Sequence, residues 1–183
     1  MVTIRPFDQK NLALHYKWYN EQECDYFISG QWGKAKSFKA FIQQVKSVLD
    51  DKNRSANIFE IHLTDSNKLI GVVHIHSIDL ENKSCCVNCE VGHRDYNTTQ
   101  YKIDALRQTL GYCFEELEMQ KVMTTAFDYA NGWEKQVQKL GFTKEVKPSA
   151  SKNGKPDLNN PVYKLKADQY GKGNKSSGLK AVN

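Results

Sequence analysis

The chain has no long hydrophobic run: stretches such as Leu69 to Val73 fall far short of the roughly 20 apolar residues that a membrane-spanning helix needs. It also shows no signal peptide. Met1 to Phe7 carries Arg5 and passes straight into polar sequence, without the apolar and small-residue regions of a secretory leader. A cytoplasmic location is the expectation. No internal repeat is visible, and the low-complexity sequence is confined to the end, from about Asp168. The five cysteines, Cys24, Cys85, Cys86, Cys89 and Cys113, are odd in number and follow no framework spacing, so reduced thiols are expected rather than a disulfide scaffold.

What is present fits one folded domain with a tail. At 183 residues, 39% hydrophobic and 26% charged, the chain can bury one sizeable core. The net charge of +5 is unevenly placed: Lys144 to Asn183 holds nine lysines against Glu145, Asp157 and Asp168, so everything before it sums to −1. We expect a domain over residues 1–167 and a flexible basic tail over 168–183, where Gly, Lys, Ser and Asn predominate. Apart from Tyr163 and Tyr170 the basic end lacks interleaved aromatics, which argues against nucleic acid and for a solvated tail.

The order of elements follows from periodicity. Val2 to Ile4 begins as a strand, and Asp8 is a helix cap before Leu12, Leu14, Tyr16 and Trp18. Ser37 caps a second helix bearing Phe38, Phe41, Ile42, Val45 and Leu49. Asn57 to Leu63 and Lys68 to Ile78 flank the turn Thr64-Asp65-Ser66-Asn67, and Asp79 to Asn82 turns the chain into Ser84 to Val91. These are three consecutive antiparallel strands. From Tyr101 the period changes to that of a helix, with Ile103, Leu106, Leu110, Phe114 and Leu117 on one stripe. A strand from Lys121 to Phe127, a helix from Trp133 to Leu140 stopped by Gly141, and strands at Phe142 to Val146 and Pro161 to Lys166 complete the chain. The class is α+β: a central, mostly antiparallel sheet with helices on both faces.

Five strings occur in an order and spacing that resembles the GNAT superfamily of acyl-CoA-dependent N-acetyltransferases. They are TIRPF at Thr3, NKLIGVVHIHSIDLENKS at Asn67, ALRQTLGYCFEELEMQKV at Ala105, QKLGF at Gln138 and SKNGKPDLNNPVYKL at Ser151. The similarity runs from Ile4 to about Tyr170 and is greatest to the branch that acetylates ribosomal-protein N-termini. It implies the GNAT acyltransferase fold, acetyl-CoA as co-substrate without a metal, and an amine acceptor that is a small molecule or a protein N-terminus. A protein partner is also open.

The family's chemistry makes three demands. A turn before the main helix must present backbone N–H groups to a pyrophosphate. The family's pattern there is an Arg or Gln, a Gly three residues on, and a Gly or Ala two further. Asn97, Gln100 and Lys102 occupy those positions, so both signature glycines are replaced by long side chains. Thr98, Thr99, Gln100, Tyr101 and Lys102 still offer donors and a charge for an anion. Val91 and Gly92 at the end of the preceding strand, with Asn131, complete the implied cofactor-binding set. Second, a general base is wanted on the fourth strand. Cys86 holds the family position, and Glu90 lies on the same strand face as Cys86 and Asn88, about 13 Å along from Cys86. Third, the tyrosine that protonates the departing thiolate in many members is replaced by Val137.

Two readings therefore stand: an N-acyltransferase with an altered site, and a catalytically inactive GNAT-fold binding or scaffold protein. Aromatics Tyr16, Trp18, Tyr19, Tyr26, Phe27 and Trp32 fall where the family builds its acceptor pocket. His74, His76, Cys85 and Cys89 form a chemically sound zinc set if a tight turn places His76 across from Cys85. Their spacing matches no familiar zinc motif, and packed side chains of a sheet are the expectation.

Overall fold

Alternating apolar and polar residues through the middle of the chain close into a seven-stranded sheet. A computed structural model describes residues 1–21, 35, 37–51, 55–125, 132–145 and 162–170. The strands are β1 (Val2–Pro6), β2 (Asn57–Leu63), β3 (Leu69–Asp79), β4 (Ser84–Val91), β5 (Lys121–Thr125), β6 (Thr143–Glu145) and β7 (Val162–Lys166). Their spatial order is β1-β2-β3-β4-β5-β7-β6. Every neighbouring pair is antiparallel except β4 and β5. The α-helices among the described residues are α1 (Leu12–Glu21), α2 (Phe38–Leu49), α3 (Thr99–Gly111), α4 (Trp133–Lys139) and α5 (Ala167–Tyr170). None of the described helices is long and apolar enough to cross a membrane.

The two faces of the sheet carry separate cores. Ile58 and Val72 pack with Leu12, Trp18, Tyr19, Phe41 and Val45 under α1 and α2. Ile61, Val73, Ile75, Val87, Cys89 and Val91 pack with Ile103, Leu106, Leu110 and Val137 under α3 and α4. Because β3 is covered on both sides, Ile70, Gly71, Val72, Val73 and Ile75 are all buried, and its sequence reads as a continuous apolar run.

Several boundaries differ from the sequence expectation for local reasons. Asp8 accepts from the Lys10 amide and so caps a 3-10 turn over Gln9–Asn11, which then leads into α1. Ser37 does cap α2, accepting from the Ala40 amide at 3.2 Å. Helix α3 begins at Thr99, ahead of its apolar stripe, because its first turn is polar; it runs on into a π-helical turn at Tyr112–Glu116. Gly141 closes α4 at φ +95°, a left-handed position that glycine takes without steric cost. Strand β7 leads directly into α5, whose Tyr170 ring stacks on Phe114 at 4.8 Å. Residues 146–161 and 171–183, and Tyr26, Phe27, Trp32 and Cys24, lie outside the described residues.

A buried carboxylate fixes α1 to the sheet. Glu60, 1% exposed on β2, accepts from Asn11 Nδ2 at 2.9 and 3.0 Å. His15 Nε2 lies 3.0 Å from one of its oxygens and His62 Nε2 lies 2.9 Å from the other. The far nitrogen of His62 is 3.1 Å from the Asn67 carbonyl. That carbonyl only accepts, so Nδ1 donates to it. Burial pushes the Glu60 carboxyl up, but hydrogen bonds from His15, Asn11 and His62 and the His15 charge outweigh it and hold the group below its ordinary value. The same burial lowers His15 despite Glu60.

Removing one partner of a buried ionic cluster strands the others. Glu60→Ala is expected to lower unfolding free energy in urea by about 3–5 kcal/mol. Because the folded Glu60 value is depressed, its contribution is complete above 4.5 and is lost as pH falls through the folded value. Acid unfolding of the parent should therefore be steeper below about pH 4.5 than that of Glu60→Ala; equal slopes would remove the carboxylate from this role.

Candidate functional site

The β3–β4 hairpin decides which side chains share a face. Its register pairs His76 with Cys86, His74 with Asn88 and Val72 with Glu90, with a bulge between His76 and Asp79. The expected pairing of His76 with Cys85 is corrected by one residue. Ser77 at φ 51° and Lys83 at φ 47° take left-handed backbone on either side of the turn, and the extra residue on β3 resets the ladder. Side chains directly opposite point to the same face. His74, His76, Cys86, Asn88 and Glu90 thus share the side covered by α1 and α2. Cys85 and Cys89 belong to the core beneath α3, so the four residues of the zinc set are divided between two faces. Cys85 and Cys113 are buried with their sulfurs 3.8 Å apart, and burial pushes the Cys89 thiol far up.

Strands β4 and β5 pair in parallel only over Ser84↔Lys121, Cys85↔Val122 and Cys86↔Met123. Beyond Cys86 they part. The opening lies beside the N-terminus of α3, and two candidate residues meet there: Lys102 Nζ is 3.6 Å from Glu90 Oε2, with side chains 17% and 14% exposed. Gln100 turns away, donating to Asp104 Oδ1 at 2.8 Å from an exposed position. The two residues that replace the loop glycines therefore act differently. Gln100 is held along the helix by Asp104, and Lys102 folds inward onto the β4 carboxylate. Both partners of this ion pair are candidates in the sequence, but no spacing joins them; the signal is a lone lysine four residues past the cap Thr98.

The other candidates take defined places. Thr98 is the cap residue of α3 with extended backbone, but its side chain makes no capping hydrogen bond. Thr99 and Tyr101 are half-buried in the first turn, and the Tyr101 ring lies edge-on to Tyr96 at 5.9 Å. Lys68 Nζ stands 5.0 Å over the Tyr96 ring. Val91 is a core residue, 1% exposed. Gly92 donates its N–H to the Ile70 carbonyl at 2.9 Å, and a Cβ there would meet the Trp18 ring at 2.3 Å. Only glycine lets α1 sit that close to the end of β4. Val137 is fully buried in α4, Cys86 is half-buried opposite His76, and Asn131 lies outside the described residues.

A model of the acetyltransferase (GNAT) domain matches residues 1–143. No curated protein matches the chain. Among solved structures, the chain is similar to a dodecameric spermidine N-acetyltransferase from Vibrio cholerae in an intermediate state, at 14% identity and TM-score 0.73, covering 92% of this chain and 95% of that one. It is also similar to apo FdhC, described as a nucleotide-linked sugar GNAT, at 15% identity and TM-score 0.71, covering 93% and 89%. At these identities the likeness shows the fold.

Two imidazoles form part of the sheet floor next to the opening. His74 is 4% exposed, and its ring centroid is 5.1 Å from that of His76. Burial, with the neighbouring His76 charge, lowers His74 to about 3; burial lowers His76 to about 4. Both are neutral in the folded chain near pH 7. The unfolded chain binds protons at these groups below 6.5, so stability is lost as pH falls from there. Relative to His74→Leu, the parent should lose about 2 kcal/mol more between pH 6.5 and about pH 5, read from urea midpoints at each pH. Parallel curves would mean that His74 is already charged in the fold.

Proposed function

Because the chain belongs to the GNAT acetyltransferase family, we propose that it transfers an acetyl group from acetyl-CoA to an amine. The observation that carries this reading is the parting of β4 and β5 directly after Cys86↔Met123, beside the start of α3 at Thr99. An opening between parallel strands beside a helix N-terminus suits a thiol-linked chain ending in a pyrophosphate, since the helix end offers N–H groups and partial positive charge. The residues present fit that group. Thr98 keeps its hydroxyl off the helix amides, Gln100 points away, and Lys102 supplies a cation beside the first turn. Acetyl-CoA brings an activated thioester; the chain positions it and manages the proton of the amine.

Glu90 is the base in this reading, and Cys86 lines the floor beside it. The carboxylate removes the proton of the attacking amine once Lys102 turns toward the phosphates. The acceptor is an amine reaching the face under α1 and α2, either a small molecule, as in the spermidine N-acetyltransferase of similar fold, or a protein N-terminus. The branch that acetylates ribosomal-protein N-termini is the placement that the sequence strings favour.

A second reading is favoured by one contact. The Lys102–Glu90 pair crosses the ground a donor and a base would need, at 3.6 Å, and a buried valine, Val137, stands on α4 at the position of the family's tyrosine. Here the fold is a binding module without catalysis.

Calorimetry with acetyl-CoA separates the two. Transfer predicts micromolar binding, and no heat at millimolar ligand contradicts it. Lys102→Ala is expected to weaken the complex about tenfold by removing the cation beside the first turn, and Gln100→Gly to leave it unchanged because that side chain is bound to Asp104; affinity indifferent to Lys102→Ala would place the phosphates elsewhere.

A further inference from the structure

A line of hydrogen bonds crosses the opening between β4 and β5, one step past their last paired residues. Thr125 Oγ1, on β5, donates to Asn88 Oδ1, on β4, at 3.2 Å. Asn88 Nδ2 in turn donates to His76 Nε2, on β3, at 3.4 Å. The other ring nitrogen of His76 lies 3.1 Å from Ser77 Oγ. Together these contacts fix the orientation of an amide that could otherwise turn over. A hydroxyl donor on one side holds the Asn88 oxygen toward β5. An imidazole nitrogen that accepts, in a ring that burial keeps neutral, holds the amide nitrogen toward β3.

An Asn side-chain nitrogen carries two hydrogens, and His76 takes one. The second has no acceptor among the described residues. Asn88 is half-buried, lies between Cys86 and Glu90 on their face of β4, and stands where the strands have just parted. A preoriented neutral donor with a spare hydrogen is what a carbonyl oxygen needs as it gains negative charge.

We propose that Asn88 is a catalytic residue, donating its second amide hydrogen to the oxygen of the thioester, with Thr125 and His76 as positioning residues that hold it. The proposal rests on the acetyl-transfer reading. In the step, the amine nitrogen forms a bond to the carbonyl carbon, and the carbonyl pair moves onto the oxygen held by Asn88. That pair returns as the carbon–sulfur bond breaks. Sulfur leaves as the thiolate and takes a proton from solvent, and the proton of the amine passes to Glu90.

The test joins kinetics to a spectroscopic reading that needs no turnover. Asn88→Ala should lower kcat by about 10²- to 10³-fold with little change in KM for acetyl-CoA. Thr125→Val should lower kcat in the same direction and Thr125→Ser should restore it, because serine returns the hydroxyl. With acetyl-CoA isotopically labelled at its carbonyl carbon, the bound resonance in the parent should move downfield of the free ligand. In Asn88→Ala it should return toward the free position. A resonance and a kcat indifferent to Asn88→Ala, in a protein that binds acetyl-CoA, overturn the role of Asn88 alone. Failure of the parent to bind acetyl-CoA overturns the transfer reading and this role with it. If Asn88→Ala does not fold, the Thr125 pair carries the same comparison: a valine variant equal to the parent in resonance and kcat overturns the proposal.

Discussion

The one-residue bulge between His76 and Asp79 is the constraint on which the rest of the site depends. Strand side chains alternate, so a slip of one residue exchanges everything a strand presents to its two faces. With the bulge in place, Val87, Cys89 and Val91 enter the core beneath α3, and Cys86, Asn88 and Glu90 are left for the opposite face. A slip would bury a carboxylate under α3 and bring thiols and valines to the opening. The left-handed backbone at Ser77 and Lys83 is the local cost of holding that register, and the apolar packing of both faces sustains it.

A second constraint works through α1. Glu60, His15, His62 and Asn11 form a buried polar cluster, which fixes the helix at one height on the sheet. Trp18, on the same helix, then reaches the Cα of Gly92 at the end of β4, edge-on to His15 at 5.6 Å. Helix α1 is thus tied to the strand that bears Glu90. At the other rim, Lys102 brings the start of α3 onto the same carboxylate. Glu90 is the point at which the sheet and the helix end beside the opening meet through side chains.

Much of this architecture was legible in the sequence, because it rests on local signals. The cap at Ser37, the glycine stop at Gly141 and the turn at Thr64 to Asn67 each have a short-range physical cause, and all three lie where expected. Five strings in order carried the family, and the domain match bears that out. The pairing of side chains across the sheet was not legible. The His76–Cys86 register depends on a bulge that alternation alone does not reveal. The contacts from Asn88 to Thr125, 37 residues on, and from Lys102 back to Glu90 depend on strand parting and helix placement, which no spacing encodes. Both glycine replacements were visible at Gln100 and Lys102; their opposite directions were not.

The account holds that this altered opening moves an acetyl group. Acetylated amine and free CoA thiol, measured together by mass spectrometry and thiol titration after incubation with acetyl-CoA and a panel of diamines and peptides, test that most directly. The account predicts that both products form in equal amounts, faster than solvent hydrolysis, and that Glu90→Gln abolishes both. Thiol release no faster than in buffer, with every amine unmodified, would contradict it.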